Sequence, residues 1–136
     1  MGIMGWVVVL FGLGVVNFLI ALSGLKGFLS NNQSIRSALN LEELKSMVRG
    51  QMYQALLQIV ILGIMGILVV VGIITGRLSF MEFLFTLVLN LVIFALGKYG
   101  KGIEEQARSL DVEDKSIEEE YREVCETWVK KPFPNF

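Results

Sequence analysis

The chain has 136 residues, room for one domain, and 54% of them are hydrophobic, with a mean hydropathy of +0.62. An apolar excess of that size has to face something other than water. With 12 basic and 13 acidic residues, a net charge of -1, no histidine and the lone Cys125, the chain lacks a histidine-dependent catalytic triad, the ligands of common zinc, haem and iron-sulfur sites, and any internal disulfide.

Residues 3–25 carry no charge over about 35 Å of helix at about 1.5 Å per residue, enough to cross a hydrocarbon core of about 30 Å. A cleaved signal peptide is the competing reading. Against it stand the absence of Lys or Arg before Trp6 and an apolar run longer than the about 7 to 15 residues of a signal core. The stretch Gly27-Phe28-Leu29-Ser30-Asn31-Asn32-Gln33 is turn-rich and is expected to lie along the interface.

Asn40-Leu41-Glu42-Glu43 offers an N-cap Asn with Glu three positions on, where Leu41, Leu44, Met47 and Val48 begin a helical apolar spacing. No proline follows before Gly76, so one helix of about 36 residues and about 54 Å is expected, its first turns projecting from the membrane. Within it, residues 59–75 form the second span, and Tyr53, Gln54 and Gln58 mark where it reaches the interface.

The third span begins after Gly76-Arg77-Leu78, where Ser79-Phe80-Met81-Glu82 reads as a capping box, and runs apolar to Leu96 before Lys98 and Lys101. The short turn predicts an antiparallel hairpin of spans two and three. All of the 12 basic residues except Arg77 then fall on one side. By the positive-inside rule, judged on the residues near the spans, that side is cytoplasmic and the N-terminus is outside.

Beyond the membrane, Ile103, Ala107 and Leu110 keep one face of the third helix while Glu104 and Arg108 pair on another, with Gly97, Gly100 and Gly102 allowing a hinge. A further helix is expected from Ser116, with the stripe Ile117, Tyr121, Val124 and Trp128 facing a partner helix of the same or a neighbouring subunit. Glu118 with Arg122 and Glu126 with Lys130 run acid before base, so the other face, including Glu118-Glu119-Glu120, is solvated. Pro132 and Pro134 end the helix. The expected fold is therefore an all-α membrane protein: a three-span domain over residues 1–97, with a cytoplasmic connecting segment at 26–54, and a cytoplasmic helical tail over 98–136.

The polar residues Ser79, Glu82, Thr86 and Asn90 recur at helical spacing in the third span. Polar groups in hydrocarbon are costly, so the stripe should avoid lipid. Two readings stand side by side. Several copies around an axis would turn the stripe inward, with Glu82 as an acidic ring; or Glu82 is an N-terminal cap and the stripe packs on span one. Gly14, Asn17, Ala21 and Gly24 give span one a matching face, and an Asn17–Asn90 contact is feasible from their similar depth. Gly63 and Gly66, with Gly72 and Gly76, supply small faces for close helix packing in span two. Cys125 is a packing residue or a reactive thiol.

No motif identifies a family; the topology is similar to that of phage holins. The preferred expectation is a non-enzymatic homo-oligomer in an inner, plasma or equivalent energy-coupling membrane, lined by the third-span stripe and passing ions or small solutes. The other is a non-conducting scaffold or accessory subunit that docks a protein partner through Ile117, Tyr121, Val124 and Trp128. Membrane lipid is the surrounding partner; no cofactor, metal or nucleic acid is expected.

Overall fold

A computed structural model describes residues 2–136; the first residue of the expected three-span domain lies outside it. The described residues are helical, with no strands: α1 (Ile3–Asn31), α2 (Ala38–Ile74), α3 (Phe80–Arg108), a 3-10 turn (Lys115–Ile117) and α4 (Glu118–Lys130). The first three helices are long and apolar enough to cross a membrane. Only 17%, 17% and 11% of the residues in their most apolar stretches are buried within the chain, so most of that surface faces outward.

Local chemistry sets the ends of these helices. At the start of α3, Ser79 Oγ accepts the Glu82 N–H at 3.2 Å and donates to Glu82 Oε1 at 3.1 Å, the expected cap. At the end of α2, Gly76 adopts φ +68, where a Cβ would be strained. The Arg77 N–H then reaches the Gly72 carbonyl at 2.9 Å and the Gly76 N–H that of Ile73 at 3.2 Å. This is a Schellman closure, so Gly76 serves the turn.

Three expectations need correction. Helix α1 does not stop at Leu25 but runs through the turn-rich stretch to Asn31; glycine and serine lower helix propensity, yet Phe28 is buried in a core that offsets this. Helix α2 starts at Ala38, and Asn40 sits inside its first turn, where Oδ1 accepts the Arg36 N–H at 3.3 Å and the Ser37 hydroxyl at 3.2 Å. The last helix starts later than Ser116: Asp114 accepts the Ser116 N–H at 3.0 Å, a 3-10 turn follows, and α4 begins at Glu118. Helix α3, in contrast, passes its glycines without a break.

Spans two and three are joined by the expected tight turn but scarcely touch. Helix α1 packs against both and carries the membrane-layer contacts. Toward the Gly76 end, Val7, Ile61, Met65 and Leu89 close into an apolar cluster. At the opposite end, Phe28, Ile35, Leu41, Leu44, Val48 and Met52 pack with Ile117, Tyr121 and Val124 of the tail. Two backbone bonds reinforce this second core: the Ile35 N–H donates to the Asp111 carbonyl at 2.8 Å and the Glu113 N–H to that of Ile35 at 2.9 Å. The connecting segment thus packs with the tail.

Candidate functional site

Gln51, Gln54 and Gln58 recur at intervals of three and four, which brings their side chains to one face of α2. That face meets α1. Asn17 Nδ2 donates to the Gln54 carbonyl at 2.9 Å and to Gln58 Oε1 at 3.1 Å, and Gln51 Nε2 donates to the Ala21 carbonyl at 2.6 Å. Asn17 and Gln51 are each 8% exposed. Buried amides of this kind hold helices together because a lost partner would leave a polar group in apolar surroundings.

The amides do not fill the space. A cleft of ≈ 180 Å³ opens between α1, α2 and α3, with Asn17, Gln51, Gln54 and Gln58 on one wall. Ile93, Leu96, Gly97, Gly100, Lys101 and Glu104 of α3 form the other side. Small residues make the room: Gly14 lets Gln58 Nε2 come within 3.0 Å of where a Cβ would stand, and Gly24 faces Gln51 Nε2 at 3.8 Å. At Gly100 a Cβ would lie 2.9 Å from Phe18 Cε2, so α3 comes close to α1 there.

Asn17, expected as a partner for Asn90, is bonded to α2, and no Asn17–Asn90 bond forms among the described residues. The physical reason is that α2 presents two acceptors at the depth of Asn17. Along the third-span stripe, Ser79 and Glu82 bond to each other as a cap. Thr86, 2% exposed, donates to the Glu82 carbonyl at 3.0 Å and lies beside Met4 of α1. Asn90 is exposed, and its Nδ2 donates only to the Thr86 carbonyl, at 3.0 Å.

The remaining small residues divide by surroundings. Gly72 is buried against Leu78 and Ile3 beside the turn, whereas Gly63 and Gly66 have nothing within 4 Å of a would-be Cβ. Close packing at Gly63 and Gly66 is therefore absent inside the described chain. The signal for the amide face was present in the sequence, but Gln54 and Gln58 also read as interface markers, and Gln51 gains meaning only once α1 lies opposite.

In the tail, Ile117, Tyr121 and Val124 are buried against the start of α2, and Trp128 packs at the edge of the same core. Arg108 stacks over the Trp128 ring at 5.2 Å and pairs with Glu104 at 3.5 Å. The seam is thus occupied from within the chain. Glu118 pairs with Arg122 at 3.8 Å on the solvated face, whereas Glu120, expected on that face, bridges to Lys45 of α2. Burial pushes the Cys125 thiol above its ordinary value of 9.0, which reduces its thiolate and suits a packing role.

No protein-family model matches the sequence, and comparison with curated proteins and with solved structures finds no match. The class rests on the fold: an all-helical membrane protein with three candidate spanning helices.

Proposed function

We propose that the chain is a non-enzymatic membrane protein that works as a homo-oligomer, meeting neighbouring copies through the Asn90 face of α3 and passing ions or small solutes along their shared axis. The observation that carries this reading is Asn90 itself. It lies about 18 Å along the helix from Leu78, near mid-membrane, exposed and bonded only to its own backbone. The rest of its amide would stand in hydrocarbon in a single copy, a cost relieved by the same residue of a neighbour. The proposed setting is an inner, plasma or equivalent membrane with α4 on the cytoplasmic face.

A non-conducting scaffold or accessory subunit is the second reading. It is favoured by the local bonds of Ser79, Glu82 and Thr86, which leave Asn90 with little polar company for lining an axis. Asn90→Cys in a Cys125→Ser background tests the assembly: oxidation in native membranes should give a covalent dimer, and Val88→Cys, on another face of α3, should not. Equal cross-linking at both positions, or none at Asn90→Cys, would sink the self-association. Assembly without conductance in planar bilayers would favour the scaffold.

A further inference from the structure

We infer that the cleft between α1, α2 and α3 binds an anionic phospholipid from the leaflet on the α4 side, with its phosphate at Lys101 and its ester carbonyls at the Gln54 and Gln58 amides. Depth supports this. Gly100, next to Lys101, meets Phe18, next to Asn17, so Lys101 starts close to the level of the Asn17 and Gln58 amides and its long side chain carries the ammonium toward the headgroups of that leaflet.

The chemistry of the walls follows the same order. Among the described residues, Lys101 has no salt bridge, and neither do Lys26 and Lys98 at the same end. Lys26 lies over the Tyr99 ring at 5.3 Å. Glu104 also lines the mouth, but its carboxylate is taken by Arg108. Basic positions between membrane helices are suited to anionic headgroups. Deeper in, Gln58 uses Oε1 to accept from Asn17, while Gln58 Nε2 and the Gln54 side-chain amide have no bond among the described residues. Neither is fully buried, since no fully buried side-chain polar atom lacks a partner, and both residues line the cleft. Open amide donors at hydrocarbon depth call for an acceptor, and an ester carbonyl supplies one from the lipid itself. Beside them Val15, Phe18, Ile93 and Leu96 offer apolar walls for the acyl chains.

The test titrates the purified full-length protein in detergent with phosphatidylglycerol, phosphatidylcholine or free glycerol phosphate, following binding by native mass spectrometry. Phosphatidylglycerol should bind saturably and more tightly than phosphatidylcholine, and glycerol phosphate should not compete. Lys101→Gln should weaken the anionic lipid about fivefold, the equivalent of about 1 kcal/mol per lysine near the surface; Lys115→Gln, in the tail, should not. Gly97→Leu, which builds a side chain where nothing stands within 4 Å, should abolish binding by filling the cleft. Lys101→Gln carries the test alone if Gly97→Leu does not fold. Equal affinity for the two lipids, unchanged affinity in Lys101→Gln, or competition by glycerol phosphate would each overturn the assignment.

Discussion

The Tyr121 hydroxyl donates to the Ala107 carbonyl at 2.8 Å and accepts the Leu110 N–H at 3.1 Å. One side chain of α4 thereby satisfies two backbone groups where α3 ends and the chain turns. Tyr121→Phe keeps the ring in its core but strands both groups, a loss of about 1 to 3 kcal/mol. The effect should appear as a lower midpoint for the tail by Trp128 fluorescence in a Trp6→Phe background. An unchanged midpoint would mean that water replaces the hydroxyl without cost.

The same core should weaken in alkali. Burial pushes the Tyr121 hydroxyl above its ordinary value of 10.0, and the Cys125 thiol above 9.0. Below pH 9.0 folded and unfolded chains both keep these protons, so the full stability is present. As pH rises past 9.0 the unfolded chain releases the Cys125 proton more readily than the folded chain, and past 10.0 the same holds for Tyr121. Fewer protons on the unfolded state means that stability falls with pH. Denaturant midpoints across that range should decline, and less steeply in Cys125→Ala.

Gly100→Ala probes the approach of α3 to α1. The new Cβ would stand 2.9 Å from Phe18 Cε2, so the ring must shift, at about 1 to 3 kcal/mol for overpacking. Phe18→Leu should recover much of that in the double variant, because the two positions share one contact. Additive losses would place the strain elsewhere.

The spans were legible because each is announced by local sequence: charge-free runs over residues 3–25 and 59–75, and the Ser79 and Glu82 cap ahead of α3. The stripe of Ile117, Tyr121 and Val124 was likewise legible as a buried face, since period alone defines it. What faces what was not. Apolar spacing gives no reason for α1, rather than α3, to be the principal neighbour of α2, and that choice turns Gln54 and Gln58 from interface markers into a polar wall that they share with Gln51. The bonds from Ile35 to Asp111 and Glu113 join residues far apart in the chain and have no local signature. By sequence Gly76 fits a small-residue packing pattern through its spacing from Gly72, whereas its positive φ belongs to the turn.

Orientation rests on the basic residues, of which Arg77 alone lies in the turn between α2 and α3. In a Cys125→Ser background, Arg77→Cys should react with an impermeant maleimide in intact cells, and Lys131→Cys only after the membrane is opened. Both positions are exposed, so silence cannot come from burial. The opposite pattern would reverse the chain in the membrane and put α4 outside.

The passage proposed along α3 is most sharply tested at Glu82. Its side chain is half-buried and accepts the Ser79 hydroxyl at 3.1 Å, beside the turn at one mouth of the membrane layer. Glu82→Gln keeps an acceptor there, and glutamine is a normal capping-box residue, so stability should change by less than about 0.5 kcal/mol. Selectivity should respond far more. Copies around an axis would repeat the carboxylate once per subunit, raising the local cation concentration and disfavouring anions. Purified protein in planar bilayers under a salt gradient should therefore show a cation-selective reversal potential in the wild type, shifted toward zero in Glu82→Gln. Equal reversal potentials would leave Glu82 as a cap alone and move the filter to Asn90. If no conductance appears while Asn90→Cys still cross-links, the polar face of α3 holds copies together without opening a path, and the scaffold reading takes its place.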